Sequence, residues 1–180
     1  VVRVERPDVD AADEREAPAP CAVDPQQVHA GLDLDDLQRV DARLDHSDLV
    51  RFNELFFALL ANHDKIDSVI FADEHGREFF MRTRPDGGWI NRISNPAEWG
   101  RQTYWITWNA QRRIEHVEVR ENDYDPRQRP WFKGAMALTE DNAVHWTQPY
   151  IFFTSREPGV TATMRWQDAA GTRYVIAHDV

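Results

Sequence analysis

The sequence carries one cysteine, Cys21, among 180 residues. No internal disulfide can form, and cysteine cannot complete a zinc knuckle or a redox pair. A cytosolic chain and a disulfide-free extracytoplasmic one would look alike on this count, so cysteine usage leaves the compartment open. Long apolar runs are equally scarce: the longest, Leu55 to Ala61, falls far short of the ~20 residues a membrane-spanning helix requires. Lysine is nearly missing, with only Lys65 and Lys133, and 31 acids against 21 bases leave a formal charge of −10. Phosphate-backbone affinity rests on clustered positive charge, so nucleic acid is excluded as a general partner and anionic lipid is disfavoured. Glycine-rich phosphate loops are absent as well. Gly87-Gly88 sits between strand-like segments and precedes no helix. No basic segment followed by an apolar core opens the chain, and Val1 is an unusual start, so a segment of a longer protein is expected.

What is present suffices for one domain. Hydrophobic residues make up 42% and aromatics 11%, enough for a core in a chain of this length without staples. Four prolines and many charges in residues 1–25, with little apolar periodicity, predict a mobile acidic arm over residues 1–28 and a folded domain over 29–180. Leu34, Leu37, Val40 and Leu44 recur near a 3.6-residue period and predict a first helix. Ser47 is placed to cap a second, whose apolar stripe is Leu49, Phe52, Leu55, Phe56, Leu59 and Leu60.

From Asp67 the period becomes extended. Strands are predicted at 68–72, 77–84, 89–93, 103–108 and 114–120, the first two joined by the turn Asp73-Glu74-His75-Gly76. A loop through Asn95, Pro96 and Gly100 separates the third from the fourth. A short helix is predicted at 131–138, followed by strands at 144–154, 160–167 and 174–179; the turn Asp168-Ala169-Ala170-Gly171 joins the last two. This order argues for an α+β fold: one mostly antiparallel sheet with helices on one face, leaving the other for a ligand.

The densest group of chemistry-bearing residues is Asp123-Tyr124-Asp125-Pro126-Arg127-Gln128-Arg129-Pro130-Trp131-Phe132. Two prolines restrict the backbone, so Tyr124, Arg129 and Trp131 are displayed at set angles. A guanidinium fork, a phenol and an indole together suit a small anionic head group. The competing reading is a proline-rich loop whose aromatics fill the core and whose arginines pair with Asp123 and Asp125. Arg82, Arg84 and Trp89 could line an opposite wall, although a solvated strand face beside a core tryptophan explains them as well. Core packing also explains most of Trp105, Trp108, Trp146 and Trp166. Seven histidines, His145 and His178 among them, show no short metal-ligand spacing, and neither Ser94 nor Ser155 lies in a nucleophile elbow. No catalytic residue, metal or cofactor is expected.

Four ordered blocks resemble a known family: Tyr124 to Ala135, His145-Trp146-Thr147-Gln148-Pro149-Tyr150, Gly159-Val160-Thr161, and Tyr174-Val175-Ile176-Ala177-His178-Asp179. Together, over Leu49 to Val180, they look like the membrane-distal module of a double Cache domain, a PAS-like extracytoplasmic sensor of bacterial chemoreceptors, histidine kinases and nucleotide cyclases. The resemblance implies an antiparallel sheet of about five strands flanked by helices. It also implies a periplasmic location, membrane helices flanking the module, and an output domain outside this chain. Family members that bind amino acids do so through a tyrosine, an arginine five positions on, a tryptophan two further, a neighbouring aromatic, a later tyrosine and a distant aspartate. Carried over, Tyr124, Arg129 and Trp131 would grip a ligand carboxylate and Tyr150 and Asp179 its ammonium. Phe132 stands where tyrosine is common. The implied partner is an amino acid or related carboxylate; the alternative is a module without ligand that dimerises through its N-terminal helices between Leu34 and Leu60.

Overall fold

Strand β1 (Ser68–Asp73) sends Val69 into one apolar core and Ile70 and Ala72 into another. A strand apolar on both faces needs a covering layer on each side. The computed structural model describes residues 46–180, with side chains from Leu49 onward, and it supplies both layers. The predicted arm, the predicted helix at Leu34 to Leu44 and the Ser47 capping side chain lie outside the described residues.

Around β1 the chain builds an eight-stranded antiparallel sheet in an α+β architecture. On one side come β2 (Glu78–Thr83), β3 (Trp89–Ser94), β4 (Gln102–Trp108) and β5 (Ile114–Glu121). On the other come β10 (Arg173–Asp179), β9 (Thr161–Gln167) and the short edge strand β6 (Val144–Trp146). The count exceeds the five strands implied by the resemblance, because short β6 extends one edge and the β4–β5 hairpin the other. Between β6 and β9, β7 (Tyr150–Ile151) and β8 (Pro158–Gly159) pair only with each other.

Helix α1 (His46–Asn62) covers one face. Leu49, Phe56, Phe57 and Leu60 pack on Val69, Phe79, Met81, Tyr104, Ile106 and Trp108, with Phe52 and Leu59 partly buried beside them. Each fully buried side chain of this kind stabilises by roughly 1.5–3 kcal/mol. Leu55, expected in the stripe, is instead 57% exposed, and Phe57, not expected in it, is buried. Asn53 lies in the same buried face and accepts a hydrogen bond from Asn91 Nδ2 (3.0 Å); Asn91 Oδ1 in turn accepts from Trp108 Nε1 (2.6 Å). A second, short helix, α2 (Pro96–Trp99), interrupts the loop predicted between β3 and β4.

Helix α3 (Pro130–Met136) lies on the opposite face, with Trp131, Phe132 and Ala135 against Ile70, Ala72, Phe80, Val175 and Ala177. The expectation that all helices share one face is therefore corrected. The even-numbered positions of β1 and β2 bring Ile70, Ala72 and Phe80 to the second face, and α3 is the apolar element that covers them. The face expected to be left open is thus shared between α3 and an open region beside it.

The turns at Asp73 and Asp168 use one device. Asp73 Oδ1 accepts from the His75 and Arg77 amides, Asp168 Oδ1 from those of Ala170 and Thr172, and Gly76 and Gly171 both sit at φ +91°. The two turns meet where Arg173 makes a two-pronged ion pair with Glu74.

The single strand predicted at 144–154 is broken. After β6 the chain leaves the sheet at Thr147, whose hydroxyl accepts from the Thr161 amide, and Pro149 has no amide to continue a ladder. It then folds back through a loop in which the Phe152 amide donates to the Glu157 carbonyl and Arg156 adopts φ +64°. This departure carries residues 152–155 out over the second face of the sheet.

Candidate functional site

The loop from Asp123 to Pro130 is set by local chemistry. Asp125 caps a single 3-10 turn (Pro126–Gln128), its Oδ1 accepting from the Arg127 amide, and its carboxylate holds the Arg127 guanidinium at 2.9 Å through both oxygens. These hydrogen bonds outweigh the opposing effect of burial and keep the Asp125 pKa below the usual carboxylate range. Arg129 then precedes Pro130, which requires an extended backbone; it sits at φ −80°, ψ 148° and starts α3. The reading in which the loop's arginines pair with its acids holds for Arg127 with Asp125, but not for Asp123, whose partner is Arg101 outside the loop. Arg129 instead donates from Nη2 to the Ile151 carbonyl (2.8 Å), with its guanidinium 5.4 Å from the centre of the Tyr150 ring.

Beside α3, the second face of the sheet carries a cavity enclosing about 380 Å³ of space not filled by protein atoms, part of it open to solvent. Its unobstructed centre is far smaller, ≈ 20 Å³, on the order of one water. Ser68, Ile70, Phe80 and Arg92 form the floor, the 152–155 loop the roof. Five of the six residues assigned by resemblance line it: Tyr124, Arg129, Trp131, Tyr150 and Asp179. Phe132 does not. It lies in the core under α3, edge-on to Trp131 with ring centres 5.5 Å apart.

One wall is a buried ionic unit that sequence reasoning missed. Arg92 donates from Nε and Nη2 to the two Glu78 oxygens (2.9 and 3.0 Å) and from Nη1 to Thr154 Oγ1 (2.6 Å). Its guanidinium lies 3.8 Å from the Tyr124 ring centre and 4.6 Å from that of Phe80. Burial opposes its charge, but the Glu78 carboxylate raises the Arg92 pKa above its ordinary value. The Tyr124 hydroxyl donates to Glu78 Oε1, so it is turned away from the cavity and offers its ring there; burial pushes its pKa well up. A charge set among apolar residues of a buried strand was the available signal: Glu78 precedes Phe79 and Phe80 in β2, and Arg92 precedes Ile93 in β3, opposite Phe80.

The opposite wall is a chain of short hydrogen bonds. Ser68 Oγ donates to Asp179 Oδ2 and Thr161 Oγ1 to Asp179 Oδ1, both at 2.6 Å, and the Tyr150 hydroxyl lies 2.7 Å from Thr161 Oγ1. Burial raises the Asp179 pKa although the two hydroxyl groups and Arg92 pull it down. Burial, then the nearby Asp179, pushes the Tyr150 pKa up to about 12. Asp179 is buried at the cavity edge, and its strand is held between β1 and β9.

The remaining candidates separate. Arg82 lines the cavity, whereas Arg84 turns outward to Asp86 and Glu115, and Trp89 belongs to the core under α1. Trp108 is buried, but Trp146 is 57% exposed and does not pack in the core. His178 pairs with Val69 and shares its face, while His145 stands against α3 at Gly134 on the other. Among the described residues no group of three acids, histidines or cysteines is gathered closely enough to hold a metal ion.

No family model and no curated protein matches the chain. Among solved structures it is similar to the ligand-binding domain of the Pseudomonas fluorescens chemoreceptor CtaA. The complex with L-valine is 16% identical, covers 71% of this chain and 41% of that one, and has a TM-score of 0.40. The complex with L-isoleucine is 18% identical, covering 68% and 37%, with a TM-score of 0.38. For the complex with L-serine the values are 17%, 68%, 39% and 0.37. The chain thus spans about two fifths of the length of the solved domains it matches.

Proposed function

We propose that this chain is the ligand-binding module of a Cache-type, PAS-like sensor. It takes a free amino acid or a related small carboxylate in the cavity between the sheet and the 152–155 loop. The observation that carries this reading is convergence: five residues named by resemblance, from separate stretches of the chain, line one cavity, with Arg129 and Asp179 supplying opposite charges. Arg129 grips the ligand carboxylate beside the Trp131 indole and the Tyr124 ring; Asp179, with Tyr150, receives the ammonium. The unobstructed centre is too small for an amino acid, so ligand entry requires movement. Arg129 leaving the Ile151 carbonyl for a carboxylate couples ligand to β7 and the roof loop. The ligand shifts the module between two arrangements only as far as it binds one of them better. In the full receptor the module stands outside the cytoplasmic membrane, dimerises, and signals through flanking membrane helices to an output domain.

Thermal unfolding with amino acids, amines, organic acids and purines tests the reading. A ligand at 100 times its Kd adds about 2.7 kcal/mol. Arg129→Ala abolishes binding while leaving the melting temperature of the ligand-free protein nearly unchanged, because the side chain is hydrogen-bonded only near the surface. Protein shown to be ligand-free that responds to no class of compound would reject sensing.

A further inference from the structure

The cavity holds more guanidinium than a neutral amino acid uses. Arg129 is assigned above to the α-carboxylate, and Arg92 is already neutralised by Glu78. The third, Arg82, follows Phe80 on the same face of β2, lies opposite Ser68 in β1 and Ile90 in β3, and lines the cavity. Its Nε reaches only the Thr83 carbonyl, at 3.3 Å, and among the described residues no carboxylate lies within 4.0 Å of it. Asp67 also borders the cavity, but at the rim, exposed to water.

A half-buried guanidinium next to an apolar wall keeps its desolvation cost until an anion meets it with directed hydrogen bonds. The protein supplies that anion to Arg92 and withholds it from Arg82. We infer that the ligand brings it: the cavity takes an amino acid whose side chain carries a second carboxylate, and Arg82 receives that group. The inference rests on the amino-acid reading above and adds the side-chain class. Arg129 and Asp179 hold the backbone end. The second carboxylate lies towards β2 and β3, where the Arg92 Nη1 that now donates to Thr154 adds a further donor.

Calorimetric titration of the purified chain with glutamate, glutamine, aspartate and asparagine tests this, because each acid differs from its amide only in charge and donor pattern. The acids are expected to bind about tenfold or more tightly than their amides, the usual effect of a hydrogen bond to a charged group. Arg82→Met is expected to bring that ratio close to unity. Arg84→Met, at the outward-turned neighbour, keeps the wild-type ratio. Amides that match their acids in the wild type overturn the inference and leave the amino-acid reading standing, as does an acid preference that survives Arg82→Met. If none of the four binds but another amino acid does, the inference alone falls. If no compound binds at all, both fall. Should Arg82→Met fail to fold, Arg82→Gln is expected to lower the ratio in its place, and a ratio it leaves unchanged overturns the inference.

Discussion

Glu78 and Arg92 lie diagonally across the β2–β3 ladder and hold a two-pronged ion pair whose side chains are 0% and 2% exposed. Removing one member strands a buried charge, which costs far more than the intact pair contributes. Glu78→Ala is expected to destabilise the protein by about 3–5 kcal/mol in denaturant unfolding. Replacing both, as Glu78→Leu with Arg92→Met, is expected to recover most of that loss. A single-mutant loss under about 1 kcal/mol would mean that water reaches Arg92, and the wall of the cavity would be soft.

Gly134 lies in α3 where a Cβ would stand 2.1 Å from His145 Nε2. Alanine usually favours a helix by up to about 1 kcal/mol over glycine. Here the clash reverses the sign, and Gly134→Ala is expected to lower stability by about 1–3 kcal/mol through overpacking. Adding His145→Ala makes room and restores it. A stabilising Gly134→Ala would show that the His145 ring swings aside to admit the methyl group.

Asp179 gives a pH signature. Its folded-state pKa is raised by burial, so between the unfolded and folded values the folded protein holds the extra proton. Stability from this group is present below the unfolded pKa and is lost as pH rises through the folded one. The stability difference between wild type and Asp179→Asn should therefore shift in favour of the variant as pH rises from about 3 to 7. Comparing the two proteins cancels the other carboxylates, including Asp125 and Asp168, whose depressed values act in the opposite direction. A difference that is flat with pH would place the Asp179 carboxylate in water.

Much of the architecture was legible. The 3.6-residue stripe of α1, the period-two strands, and the two Asp-x-x-Gly turns are local patterns that an isolated segment already expresses. Pro126 and Pro130 mark where the loop's backbone is restricted, but not that the Tyr124 hydroxyl turns to Glu78 or that Trp131 is buried in the core. Less legible was the strand predicted at 144–154, because its residues favour extended backbone throughout. Only competition for the edge of β9 decides that 144–146 pair there while 152–155 leave the sheet.

The sequence by itself determined α1, α3, the strands β1 to β5 and the β9–β10 hairpin, and that a proline-bounded, aromatic, arginine-bearing loop exists. It also determined that no local metal or nucleophile motif stands in the chain. Tertiary structure alone decided which face each charge occupies. Glu78, Arg92 and Arg82 are ordinary strand residues until the β2–β3 register puts them on the side that α1 does not cover. Asp179 and Ser68 are 111 positions apart until β1 and β10 pair. Pairing partners in a sheet are chosen by long-range packing rather than by neighbours in sequence, and that choice turns scattered charges into one cavity.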